Sequence, residues 1–131
     1  MIVVDNSVLA GFAIRADAYH KLAEQALEKD NEWHAPELIR SEFRSVANGY
    51  LKKGESRDVV DEAASLADDT ITSFHRVPHR EVFDVLKEAH LSAYDAEYVA
   101  LARQLGCKLV TTDKKVVDAF PTIAIRLHDF V

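Results

Sequence analysis

Cysteine is nearly absent. One thiol, Cys107, among 131 residues cannot close an internal disulfide, so a disulfide-stapled secreted scaffold is excluded. Glycine and proline are scarce too, at 4 and 3 residues, which excludes collagen-like repeats and Pro/Gly-rich low-complexity chains. No apolar run approaches the ~18 residues of a membrane-spanning helix. The opening segment carries Asp5 and no basic leader, so it does not read as a signal peptide. Positive charge is in short supply. Against 22 acidic residues stand 16 basic ones, a net charge of −6 with His neutral. That is a poor footprint for binding nucleic acid by bulk charge. These absences point to a soluble protein of a reducing, cytoplasmic compartment.

What remains is ordinary globular material. Hydrophobic residues make up 48% and charged residues 29%, close to average usage. The length fits one domain, residues 1–131, with enough volume for a proper core. Ile2-Val3-Val4 reads as a short strand buried on both faces. Helical spacing of apolar residues predicts helices over 15–29, 38–53, 56–69, 81–90 and 92–105. Pro36 suits the first turn of the second of these, and Gly54 and Gly106 suit helix ends. Trp33-His34-Ala35, 71–77, 108–112 and 123–127 read as strands, and 116–120 as a helical turn. Strands separated by helices predict a three-layer α/β/α domain with a mainly parallel sheet.

Four carboxylates stand in locally awkward places. Asp5 follows the first buried strand directly, and Asp113 ends the Leu109-Val110-Thr111-Thr112 strand. Glu42 and Asp95 lie within about 60° of apolar helix stripes, at ~100° per residue. Ionised carboxylates facing a core are costly unless paired, hydrogen-bonded or bound to metal. Ligands of open α/β sheets gather outside the carboxyl ends of strands. Four converging acids would repel one another, and Mg²⁺ or Mn²⁺ is the natural compensating charge. Such a cation can activate water for in-line attack on a phosphodiester. Each acid also has a plain structural explanation. Asp5 and Asp113 fit N-caps, Ser92-x-x-Asp95 fits a capping box, and Glu42 fits a solvated rim position. Only the set, two at strand ends and two on inward helix faces, favours chemistry. The six histidines form no helical metal-ligand pair.

These segments resemble the PIN-domain ribonucleases, and within them the VapC toxins of toxin–antitoxin pairs. Residues 2–9 look like the family's opening strand-plus-acid motif, and 36–43 like its second, with Glu42 as the acid. Residues 92–106 match the third motif and 109–114 the fourth. The resemblance implies a metal-dependent endoribonuclease using Asp5, Glu42, Asp95 and Asp113 around Mg²⁺ or Mn²⁺. It also implies a homodimer and inhibition by a small antitoxin protein. Ser7 and Thr112 match hydroxyl positions lining the family's site. Many relatives carry a further acid just after the fourth motif's aspartate, where in this chain Lys115 stands two residues beyond Asp113, and this leaves one or two metals open.

RNA phosphates would need cations of the protein's own, for which Arg40, Arg44, Lys114 and Lys115 are the candidates, although exposed basic residues are commonly just solvated. Phe43, Tyr50, Val59 and Val60 read first as this domain's own core, and second as a partner groove or dimer contact. Two other readings stay open: a housekeeping RNA-processing nuclease of the same family, and a non-catalytic RNA- or protein-binding domain of the same fold. A phosphoacceptor receiver domain is disfavoured, because Asn6 and Ser7 stand where its paired acids are needed.

Overall fold

The first strand, β1 (Ile2–Val4), is wholly buried, and the remaining four strands assemble around it. They are β2 (Trp33–Pro36), β3 (Ile71–His75), β4 (Leu109–Thr111) and β5 (Ala124–Arg126), in the order β3-β2-β1-β4-β5. Every pairing is parallel. The computed structural model describes all residues, 1–131. Eight helices complete the chain: α1 (Asn6–Ala13), α2 (His20–Lys29), α3 (Ile39–Lys52), α4 (Arg57–Thr70), α5 (His79–Glu88), α6 (Ala93–Leu105), α7 (Lys114–Ala119) and α8 (Leu127–Phe130). Helices α1, α3 and α4 pack on one another over one face of the sheet. On the other, α6 lies across β1, β2 and β4 with α5 at its flank. This is the expected three-layer α/β/α arrangement.

Burial follows from the parallel sheet, whose strands are covered on both sides. Val3, Val4, Trp33, Ala35, Leu109 and Val110 lie in one core with Leu9, Ile39, Val99 and Leu101 from the helices. Trp33 packs edge-on against Phe12 of α1, with ring centroids 5.8 Å apart. Each such large side chain contributes about 1.5–3 kcal/mol through burial. Of the four expected core residues on the middle helices, only Phe43 is fully buried. Tyr50, Val59 and Val60 instead line a groove of about 410 Å³ with Ile14, Ala47 and Leu66.

Three local expectations are corrected. Helix α1 was not foreseen: six of its eight residues are buried, so it shows no polar face from which a helical period can be read. The following helix begins at His20 rather than residue 15, because the Asp17 carboxylate accepts from the Tyr19 amide, 2.9 Å away, in a separate turn. Pro36 closes β2 instead of opening a helix. Pro36 pairs with His75 of β3, but there the Glu37 amide donates to the His75 carbonyl at 2.9 Å, and β1 pairs with β2 only as far as His34, so neither neighbour needs the amide hydrogen that proline lacks.

The chain runs outward from β1 through β2 to β3, then crosses back to β4 and β5. The strand order therefore reverses between β1 and β4. In open parallel sheets this is where a crevice opens outside the carboxyl ends of the strands.

Candidate active site

Asp5 stands at that crevice, one residue past β1. Its Oδ1 caps α1, accepting from the amides of Ser7 at 3.0 Å and Val8 at 3.3 Å and from the Ser7 hydroxyl at 2.5 Å. Its Oδ2 accepts from the Thr111 hydroxyl of the neighbouring strand. Both hydroxyls are themselves tied to the segment after β4. The Thr112 amide donates to Ser7 Oγ at 3.2 Å, and the Asp113 amide to Thr111 Oγ1 at 3.0 Å. Burial pushes the Asp5 pKa up to about 6, only partly offset by these hydrogen bonds. The cap expected of Asp5 and its place at the crevice are one arrangement: capping fixes the carboxylate where the strand ends.

Asp113 repeats the pattern at β4, its Oδ1 accepting from the Lys115 amide at 2.9 Å to cap α7. At the start of α6, Ser92 Oγ accepts from the Asp95 amide at 3.1 Å. Burial raises the Asp95 pKa and the nearby Asp113 charge raises it further, while Ser92 and the Lys115 cation pull it down. Glu42, in the first turn of α3, is also pushed up, first by burial and then by Asp95. The Tyr98 hydroxyl donates to Glu42 Oε1. Tyr98 in turn senses the charges of Glu42, Asp5 and Glu97. The structure thus brings Asp5, Glu42, Asp95 and Asp113 to one end of the sheet, linked pairwise by charge or by shared hydrogen bonds.

No three acidic, histidine or cysteine side chains close on one point as a ready-made ligand cage. Magnesium rarely uses such a cage; it is held through one or two carboxylates and keeps its other sites for water and phosphate. An all-oxygen donor set in which the Asp113 charge raises Asp95 and the Asp95 charge raises Glu42 suits that kind of ion.

Two further site groups went unrecognised in the sequence. The hydroxyl that reaches Asp5 belongs to Thr111, not Thr112, whose side chain makes no hydrogen bond and whose amide alone is used. Thr111 ends a fully buried strand, and a buried hydroxyl needs a partner. The parallel register Val4↔Val110 supplies it by placing Asp5 beside Thr111. The second is Tyr98, whose place in the sequence carries no sign of its contact with Glu42.

The basic candidates divide. Lys115, exposed near the start of α7, lies near enough to Asp95 for its charge to lower that carboxyl's pKa. Arg40 turns to α4 instead, pairing with Asp68 at 3.2 Å and lying over the Phe74 ring. Arg44 is exposed beside that pair. Lys114 pairs with Asp118 one turn on, at 3.1 Å. Arg40 and Lys114 are therefore already engaged with carboxylates.

The sequence profile of the PIN domain matches residues 2–120, and the chain belongs to the PIN-domain family. Its similarities within the family are to VapC proteins. It is 37% identical over 124 residues to ribonuclease VapC9 of Mycobacterium tuberculosis, with 90% of each chain covered. It is 29% identical over 129 residues to ribonuclease VapC3 of Pyrobaculum aerophilum, covering 93% of this chain and 96% of that one. Two crystal structures share the fold. PAE2754 of Pyrobaculum aerophilum aligns with a TM-score of 0.74 at 22% identity, over 98% of this chain and 91% of that one. VapC20 of Mycobacterium tuberculosis, a toxin that cleaves the sarcin-ricin loop, aligns with a TM-score of 0.69 at 18% identity, over 92% and 95%.

Proposed function

We propose that this protein is a divalent-cation-dependent endoribonuclease, the toxin of a VapC-type toxin–antitoxin pair. The observation that carries the reading is the meeting of Asp5, Glu42, Asp95 and Asp113 at the β1/β4 crevice, in surroundings that raise the pKa of three of them. Its relatives' names, ribonucleases VapC3 and VapC9, support the substrate class.

Asp5, Glu42, Asp95 and Asp113 would hold Mg²⁺ or Mn²⁺. A cation there would supply an activated water and neutralise charge on the leaving oxygen. The chain's own groups do the rest. Ser7 and Thr111 hold both oxygens of Asp5 in place. Asp113 is fixed by its cap on α7. Lys115 places a positive charge at the acidic cleft and is the residue of this chain best sited to meet an RNA phosphate. A planar arginine fork from an antitoxin would match the same carboxylates, which accounts for inhibition by occupancy. A homodimer follows the VapC pattern.

The test is cleavage of an unstructured RNA with Mg²⁺ or Mn²⁺, with EDTA, and with the Asp5→Asn variant. Cleavage is expected only in the wild type with cation. Activity that survives both chelation and substitution overturns the reading. Growth arrest on expression, relieved by a neighbouring small gene, tests the toxin half.

A further inference from the structure

Two of the four acids have carboxylates held by groups close to them in sequence, and a third lies beside its own helix cap. Asp5 accepts from the amides of Ser7 and Val8, Asp113 from the amide of Lys115. Asp95 sits beside its own helix cap, Ser92. Glu42 has no such local partner. No backbone amide reaches its carboxylate, and its side chain carries one more rotatable bond than aspartate. Its single hydrogen bond comes from Tyr98, 56 residues away.

Tyr98 is suited to that task. Its side chain is rooted in α6, one turn beyond Asp95, and the residue is only 3% exposed. The ring is therefore rigidly packed, and its hydroxyl has no partner except Glu42 Oε1. A buried tyrosine hydroxyl finds a hydrogen-bond acceptor when one is within reach. Here it spends that bond on one oxygen and leaves Oε2 without a protein partner. The charges of Asp95, and of Glu97 on the same helix, repel the Glu42 carboxylate. The hydroxyl opposes this.

We propose that Tyr98 is a positioning residue: its buried hydroxyl holds Glu42 in the orientation that presents the free oxygen to the cation. This rests on the cation-dependent reading above. α6 then has two duties, supplying Asp95 and steering the acid of α3. Outer-shell partners of this kind are worth about 10–100-fold in metal affinity.

The experiment is calorimetric titration of the full-length protein with Mn²⁺, in the wild type, Tyr98→Phe, Glu42→Gln and the double variant. Thermal melts of the metal-free proteins run alongside. Tyr98→Phe keeps the ring and removes only the donor. It is expected to weaken Mn²⁺ binding about 10–100-fold, with RNA cleavage recovering at raised Mn²⁺. In the Glu42→Gln background the same substitution is expected to change Mn²⁺ affinity less than about twofold, as a role confined to that pair requires. A merely structural tyrosine would lose the same amount in both backgrounds. Unchanged affinity in Tyr98→Phe, or equal loss in both backgrounds, overturns the proposal. If the wild type binds no Mn²⁺, the cation-dependent reading itself falls. If it binds Mn²⁺ but cleaves no RNA, the nuclease reading falls while the role of Tyr98 stands or falls on affinity alone. Should Tyr98→Phe fail to fold, NMR of the wild type and a further variant, Glu42→Ala, replaces it. A Tyr98 hydroxyl proton protected from exchange in the wild type and lost in Glu42→Ala, which removes the acceptor that Gln would keep, supports the proposal; a proton indifferent to Glu42→Ala overturns it.

Discussion

The Thr111 hydroxyl donates to Asp5 Oδ2 across adjacent parallel strands, 106 residues apart in sequence, while accepting from the Asp113 amide. One buried side chain thus connects the acid after β1 to the acid after β4. Thr111→Val keeps the shape and removes both bonds. It leaves a carboxylate oxygen and an amide unpartnered, which costs about 1–3 kcal/mol. Urea unfolding should show that loss for Thr111→Val. Thr112→Val, whose lost hydroxyl makes no hydrogen bond, should stay within about 0.5 kcal/mol.

Asp5 makes the metal-free protein sensitive to pH. Its pKa is raised from 3.8 to about 6 in the folded state, so between those values the folded chain holds a proton that the unfolded chain has shed. Its contribution is therefore full below pH 3.8 and is lost as pH rises through about 6. A bound cation compensates the ionised carboxylate. Added Mn²⁺ should raise the melting temperature at pH 8 and do much less at pH 5, where protons compete. Equal shifts at the two pH values would show that Asp5 takes no part.

The pair His34 and His75 gives an opposite dependence on the other half of the sheet. His34 Nδ1 and His75 Nε2 lie 2.8 Å apart, a separation that needs one bare nitrogen and one proton. Burial, then the neighbouring His34, lowers the His75 pKa below 6.5. A depressed histidine contributes stability that is present above pH 6.5 and lost as pH falls through the folded-state value. His75→Gln should flatten the acidic limb of a stability–pH profile relative to wild type. An unchanged limb would exclude this pair as its source.

Lys115 and Arg40 should separate in RNA binding. The Lys115 charge acts on Asp95, whereas Arg40 is engaged with Asp68. Lys115→Ala is expected to weaken RNA binding and lower the salt slope by about one. Arg40→Ala breaks an exposed ion pair worth about 0–1 kcal/mol and should leave RNA affinity nearly unchanged. Filter binding across a salt series reads both.

Much of this was legible because parallel sheets write themselves in apolar runs. Ile2-Val3-Val4 and Leu109-Val110 announced the two central strands, and the acids that follow them marked the crevice. Glycine at position 106 announced the end of α6, where the backbone turns left-handed at φ 66°. The illegible parts depend on register and direction. Nothing in the sequence says that residue 5 lies beside residue 111 rather than 112. Nothing says that the ring of Tyr98, indistinguishable from its apolar neighbours in the α6 stripe, ends against Glu42. Arg40 was a candidate for RNA phosphate on the helix that carries Glu42, yet two residues apart on a helix point about 200° apart, and Asp68 claims the arginine. Helix α1 escaped notice because burial on nearly every side erased its period.

The central claim is that Asp5, Glu42, Asp95 and Asp113 share a cation. The most direct measurement is an anomalous-scattering map from crystals grown with Mn²⁺. The account predicts a peak at the β1/β4 crevice within coordination distance of carboxylate oxygens from at least two of these residues. Manganese bound only elsewhere on the molecule, with the four carboxylates unchanged around an empty crevice at saturating Mn²⁺, would contradict it.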